Sequence, residues 1–334
     1  MTTTDVTIRG AGIFGLSCAW AMARRGARVT VIDPHGIGAG ASGGIVGALS
    51  PHVPENWNEK KQFQLESLLA AEGWWHGVET ASGLSSGYAR SGRLQPLSDE
   101  AAIDRAEERR IGARDHWGDH ADWQVVPAPA DWGPVTPTDM VIRDTLSARI
   151  HPRMALAALA AAIGEAGGEI LRDGPDTGPI LWATGPHDLS TLDPPGKGIK
   201  GQAALLAHDA LALPQIFADG IHIVPHADGT TAIGSTTERD ATDLVTDAQI
   251  DALVDRARAC VPALAQAQVV ERWAGYRPRT RSRAPVLGPH PSRDGAWIAN
   301  GGFKIGFGMA PRVAEVMADL ILDDIDAIPD GFRA

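Results

Sequence analysis

Gly10-Ala11-Gly12-Ile13-Phe14-Gly15 has the G-x-G-x-x-G spacing of a phosphate-binding turn, and Asp33 follows it at the distance where a carboxylate meets ribose hydroxyls. Each glycine has a separate task. Gly10 permits the tight turn, Gly12 lets the backbone approach a pyrophosphate, and Gly15 lets the following helix pack closely on the strand, with its N-terminus facing the phosphates. A carboxylate at Asp33 accepts from ribose and would repel a 2′-phosphate, so FAD or NAD fits better than NADP. Three later segments could extend the same surface. Gly40 to His52 is a run of small residues, including Ala41, Ser42, Gly43, Gly47, Ala48 and Leu49, whose backbone can lie flat against an extended cofactor. Ser42 can hydrogen-bond a phosphate. Ala183-Thr184-Gly185 ends a strand in glycine, ready to touch a ligand. Asn300 to Gly308, with Gly301, Gly302, Phe303, Lys304 and Ile305, is a glycine-rich loop feeding the last helix, and a helix N-terminus beside a lysine stabilises anionic charge.

These residues need elements to position them. Val6-Thr7-Ile8, the glycine turn, an apolar run through Arg25 and Arg28 to Asp33 read as strand, turn, helix and strand, a βαβ unit. Charge-rich helices are expected around Gln62 to Trp75 and Asp99 to Trp117, and the proline-rich Pro127 to Pro137 segment reads as a crossing between domains. An alanine-rich helix follows His151-Pro152 over Arg153 to Glu165, and a compressed turn, Asp173 to Pro179, leads into Ile180 to Gly185. Short alternating segments such as Ile221 to Val224 and Thr230 to Gly234 predict an antiparallel sheet, with a helix at Asp247 to Arg258. The last helix is expected from Met309 to Leu322 with Pro311 in its first turn.

The chain has 334 residues, room for two domains, and its composition is that of a folded globular protein. Thirty basic against 41 acidic residues give a net charge of −11, which disfavours general binding to nucleic acid. Cys18 and Cys260 are the two cysteines. They form neither a disulfide framework nor a zinc site, so no metal is expected and a reducing, cytoplasmic setting is. The longest apolar stretch, Met154 to Ile163, is about half the ~20 residues a membrane span requires.

The sequence resembles the D-amino-acid oxidase and glycine oxidase family of FAD-dependent oxidoreductases over nearly its whole length. The resemblance rests on the N-terminal fingerprint with Asp33, the Gly40 to Pro51 loop, Ala183-Thr184-Gly185 and Gly201-Gln202. It continues through Ile223-Val224-Pro225, Ile233 to Glu238, Trp273-Ala274-Gly275-Tyr276-Arg277-Pro278, Pro285 to Gly288, and the Gly301 to Pro311 loop and helix. It implies a two-domain α/β fold, with a Rossmann-like βαβ FAD-binding domain at 1–80, 138–197 and 271–334 and an antiparallel-sheet substrate domain at 81–137 and 198–270. It implies non-covalent FAD, since neither cysteine falls in a segment matching the family's covalent attachment site, and oxidation of a carbon–nitrogen bond by hydride transfer to the flavin. The substrate would be glycine, a D-amino acid or an N-substituted glycine, and the electron acceptor oxygen or a quinone. Arg277 matches the family arginine that pairs with the substrate carboxylate, a task suited to guanidinium geometry. Lys304 would hold that carboxylate or the flavin edge, and Tyr276 and His52 are further catalytic candidates. Arg277, Arg279, Arg281 and Arg283 stand where the family carries an acidic residue; with Arg277 pointing in, the cluster is read as a solvated basic loop, the alternative being a site for a substrate with extra negative charge such as a dicarboxylate or a phosphate.

A second resemblance is to the oxidoreductase half of the bifunctional enzyme that oxidises a carboxymethylaminomethyl group on wobble uridines in tRNA. It is carried by Gly40 to Gly43, Gly47 to Leu49, Ser91 to Gln95 and Thr280-Arg281. Glu107, Glu108 and Asp104 interleave with the Arg105, Arg109, Arg110 and Arg114 stripe, so the expected substrate is a free amino acid and tRNA is the alternative. A flavoprotein acting only as a binding partner is the third possibility, if Arg277 and Lys304 prove remote from the cofactor.

Overall fold

The computed structural model describes residues 4–333. β1 (Asp5–Arg9), α1 (Ile13–Ala23) and β2 (Arg28–Ile32) form the opening βαβ unit, with Val6 opposite Val29 and Ile8 opposite Val31 in parallel register. Every residue of α1 is buried, consistent with a helix that carries no charge. β3 (Ala48–Leu49) precedes α2 (Glu59–Ser82), which begins where the Asn58 side chain accepts from the Lys61 N–H at 3.1 Å and ends at Gly83 in the left-handed region. β4 (Arg93–Pro96) leads to α3 (Glu100–Trp117), capped by Asp99 accepting from the Ala102 N–H at 2.7 Å. Then come β5 (Trp123–Pro127), β6 (Met140–Asp144), β7 (Ala148–Arg149) and α4 (Pro152–Glu165), with Pro152 in the first turn.

The second half runs through β8 (Glu169–Leu171), β9 (Ile180–Trp182), the short α5 (Pro186–Leu189), β10 (Lys197–Ala207), β11 (Gln215–Ala218), β12 (Ile221–Pro225) and β13 (Thr230–Gly234). It closes with α6 (Gln249–Cys260), β14 (Gln268–Arg279), β15 (Val286–Pro289), β16 (Ala296–Asn300) and α7 (Gly306–Asp323). Helix α7 starts three residues before the expected Met309, so Pro311 lies inside it and not in its first turn.

Two large sheets organise these elements. One has six strands in the order β15-β16-β9-β1-β2-β8, parallel except for β15. Its core is shared with α1, α2, α4 and α7. The other has eight strands, β14-β10-β13-β12-β11-β4-β6-β5, antiparallel except where β11 meets β4, and packs an apolar face against α6. Two segments differ from the sequence expectation. Pro127 to Pro137 joins β5 to β6, which pair directly with Val126 opposite Val141, so it is a hairpin connection within one sheet and not a crossing. Strands β6 and β14, expected with the cofactor-binding strands, belong to the eight-stranded sheet, and β14 is held along its whole length by β10 from Lys197–Arg279 to Ala207–Gln268.

Candidate active site

The glycine turn is tight because no side chain could occupy it. A Cβ on Gly15 would lie 1.9 Å from the Gly10 carbonyl oxygen, and one on Gly10, at φ +112°, 2.5 Å from that of Ala183. The turn therefore sits against the end of β9, joining the fingerprint to Ala183-Thr184-Gly185. Helix α1 has no side-chain cap at Gly12. Instead the Ile13 N–H donates to Ser42 Oγ at 3.0 Å, which ties the small-residue loop to the helix N-terminus. Asp33 is fixed by two backbone donors, Ala11 N–H on Oδ2 and His35 N–H on Oδ1, both at 2.9 Å.

A single cavity of about 1,180 Å³ runs from this turn to the eight-stranded sheet. It is larger than the ~300–1,000 Å³ of an ordinary small-molecule site. Of the sequence candidates, Gly10, Gly12, Ile13, Phe14, Asp33, Ala41, Ser42, Gly47, Ala48, Thr184, Gly185, Gly302, Phe303 and Lys304 line it. Ala11, Gly15, Gly43, Leu49, Gly301 and Ile305 stand behind the wall. Gly43 allows the Gly38 carbonyl to approach, since a Cβ would lie 2.1 Å from that oxygen, and Leu49 is part of the core.

The far end is built on one row of directly paired residues crossing five strands, Trp273, Ala203, Gly234, His222 and Phe217. All but Ala203 line the cavity. Two aromatic walls thus flank a floor of small residues. Arg277 lies four positions beyond Trp273 on the same face of β14 and is 8% exposed. Its Nη2 donates to the carbonyls of Thr236 at 2.7 Å and Lys200 at 3.3 Å, its Nη1 donates to Ser235 Oγ, and Nε has no partner. Burial lowers its pKa to about 10, with Glu238 opposing the shift, so it stays cationic at neutral pH. Gly201 makes room for it, because a Cβ there would fall 2.5 Å from the guanidinium carbon. The Phe303 N–H donates to the Pro278 carbonyl at 3.0 Å, which brings Lys304 beside this strand. Desolvation and then the charge of Arg277 lower the Lys304 pKa. His222 is held neutral, its pKa pushed down to about 3 by burial and then by Arg93 and Lys304, and its Nδ1 is buried without a partner.

Two sequence candidates are not brought to the cavity. Tyr276 alternates to the other face of β14, where its hydroxyl donates to the carbonyls of Ala241 at 3.1 Å and Asp243 at 3.2 Å. His52 packs on α2, its N–H donating to Gln64 Oε1 at 2.8 Å. Sequence reasoning missed His222, Ser235 and Phe217. The signal was the β12–β13 hairpin, whose register, counted back from the 226–229 turn, sets His222 opposite Gly234.

A dinucleotide fingerprint and a buried arginine thus share one cavity, the arrangement of a nucleotide-binding α/β protein with room for an extended cofactor. The chain belongs to the FAD dependent oxidoreductase family, DAO, whose model matches residues 5–320. It is similar to the glycine oxidase of Geobacillus kaustophilus, 24% identical over 374 residues that span 95% of this chain and 92% of that protein. A crystal structure of glycine oxidase from that organism aligns with a TM-score of 0.86 at 21% identity, covering 99% of this chain and 98% of the other. Iminodiacetate oxidase from Chelativorans sp. BNC1 aligns with a TM-score of 0.83 at 22% identity over 98% of both chains. The protein is thus an FAD-dependent oxidoreductase of two-domain α/β fold. Among the described residues no helix is long and apolar enough to cross a membrane.

Proposed function

We propose that this protein oxidises the carbon–nitrogen bond of a small amino acid, with residues 10–15, Asp33, Ser42 and 183–185 holding the dinucleotide and Arg277 taking the substrate carboxylate. The observation that carries this reading is the continuity of the cavity, which has the α1 N-terminus at one end and the guanidinium at the other. It fits FAD on three counts. Gly10 and Gly15 leave no room for a Cβ in the turn, Asp33 is pinned by backbone, and Thr184 Oγ1 is buried at the wall without a partner. When bound, FAD supplies the oxidant that accepts a hydride from the carbon beside the nitrogen.

The protein's own part is positioning. Arg277 orients the carboxylate by charge-assisted hydrogen bonds from a guanidinium already fixed by Ser235, Thr236 and Lys200. Trp273 and Phe217 exclude water from the two sides. Arg277 and Lys304 together disfavour a third positive charge nearby, so the substrate amine is held in its neutral form, which the reaction needs. The C–H bond breaks with its electron pair leaving for the cofactor, the nitrogen lone pair forms the C=N bond, and the nitrogen's proton passes to solvent. Water then hydrolyses the imine to an oxo acid and an amine. In this reading oxygen or a quinone takes the electrons onward, with the cofactor on the six-stranded sheet and the substrate on the eight-stranded one.

The test is anaerobic flavin bleaching with glycine, sarcosine, D-alanine, proline and a tRNA bearing the carboxymethylaminomethyl group. We expect bleaching by at least one free amino acid. Bleaching by the tRNA alone would sink this reading, and bleaching by no amino acid, with iminodiacetate and D-aspartate added to the panel, would favour a binding-partner role.

A further inference from the structure

The charges on the cavity wall do not balance for a substrate with one carboxylate. Among the described residues the wall carries three full cations, Arg9, Arg277 and Lys304, and one carboxylate, Asp33. Arg9, at the end of β1, pairs with Asp176 at 2.7 Å, and Asp33 ends the neighbouring β2, so both belong to the dinucleotide end. Arg277 and Lys304 remain at the other end. Their cationic groups lie 5.7 and 5.9 Å from the centroid of the same Phe303 ring. Among the described residues no carboxylate lies within ion-pair distance of Lys304, nor of Arg279, whose guanidinium carbon is 6.0 Å from that ring. Arg281 and Arg283 are exposed just beyond on the same loop. In a chain of net charge −11, this rim is a local positive field.

Resting on the amino-acid reading above, we infer that the preferred substrate is an amine carrying two carboxylates, one held by Arg277 and the other by Lys304. Arg277 is buried and Lys304 is exposed on the wall of the same cavity, so an amino acid with one carboxylate meets the guanidinium and leaves the lysine without an anionic partner. A second carboxylate completes the pairing. His222, neutral and with an unpartnered Nδ1 within the field of Lys304, adds a polar contact on that side. The rim reinforces the choice, since long-range attraction speeds the approach of a molecule with net negative charge and does little for a zwitterion.

The experiment uses the FAD-loaded protein and two ethers that lack an oxidisable nitrogen and differ by one carboxylate, diglycolate and methoxyacetate. Binding is read from the perturbation of flavin absorbance. Diglycolate should bind roughly tenfold tighter or better, with an affinity that falls as salt is raised, and Lys304→Gln should remove most of that preference by weakening diglycolate far more than methoxyacetate. Equal affinities in the unaltered protein, or full preference kept by Lys304→Gln, would overturn the inference. A Lys304→Gln variant that keeps the preference but shifts the flavin reduction potential would assign the lysine to the flavin ring, with the same result. Turnover separates this inference from the reading beneath it. Iminodiacetate should bleach flavin with a higher kcat/KM than sarcosine, or D-aspartate higher than D-alanine. Bleaching by sarcosine and D-alanine with no such advantage retains amine oxidation and defeats the dicarboxylate. A diglycolate preference with no bleaching by any of the four does the reverse.

Discussion

Gly201 decides where the Arg277 guanidinium can lie, and it does so without touching substrate. Adding one methyl group displaces the end of a flexible side chain and no backbone, so the fold should tolerate it. Gly201→Ala should therefore weaken carboxylate binding by about tenfold, a loss of roughly 1.4 kcal/mol, with a melting temperature within a few degrees of the parent. Flavin-perturbation titration with a carboxylate ligand and a thermal melt check the two halves. Arg277→Ala should raise the same dissociation constant more steeply, by about 2–5 kcal/mol, since a buried charge-assisted contact is lost outright. Arg277 and Lys304 were legible because their surroundings are unusual for surface cations, a strand rich in aromatic residues and a loop rich in glycine. Tyr276 misled because proximity in sequence suggested shared duty, whereas adjacent strand residues face opposite ways. His222 was invisible until register paired it with Gly234.

Elements were easier to read than residues, and their ends were set by short-range chemistry. The core of α2 is expected as a charge-rich helix around Gln62 to Trp75, but its full extent depends on Asn58 and Gly83, caps lying outside that stretch. The proline-rich run after β5 looked like a boundary because proline marks irregular backbone equally well in a hairpin loop and in a linker. Pairing decided it. The same hairpin neighbourhood contains the buried pair of Arg93 and Asp144, 2.9 Å apart, where β4 lies against β6. Asp144 also accepts from the Ser147 N–H at 2.8 Å. Asp144→Ala leaves a buried guanidinium and a backbone donor unmatched, and should lower unfolding stability by about 3–5 kcal/mol in a urea titration. At the six-stranded sheet, Asp33→Ala frees the Ala11 and His35 N–H groups and removes the carboxylate proposed to accept from ribose, so FAD affinity should fall by at least about tenfold, measured by equilibrium release of flavin.

For the molecule as a whole, two buried histidines set a limit on acid tolerance. Burial lowers His226 to about 4, against the opposing hydrogen bond from its Nε2 to the Ile45 carbonyl at 2.8 Å, and lowers His222 to about 3. An unfolded histidine titrates near 6.5, so in mild acid the unfolded chain binds protons that the folded chain refuses. The stabilisation is complete above pH ~6.5 and is lost as the pH falls toward 4, of the order of 3 kcal/mol for His226. The melting temperature should drop over that interval, and His226→Gln should drop less steeply; parallel curves for the two proteins would contradict the assignment.

The cavity's walls come from stretches far apart in the chain, around residues 9–48, 182–187, 217–235 and 273–307. The loop that carries Ser42 also meets the distant sheet, with Val46 packed so near Gly234 that a Cβ on that glycine would approach it to 2.3 Å. During synthesis from the N-terminus the fingerprint emerges first, yet the surface around it is open until β14 and the Gly302 loop have left the ribosome. Closure of the cavity is thus deferred until the Gly302 loop has been made. A truncated chain, though it carries the whole phosphate-binding turn, has no closed compartment in which to retain flavin.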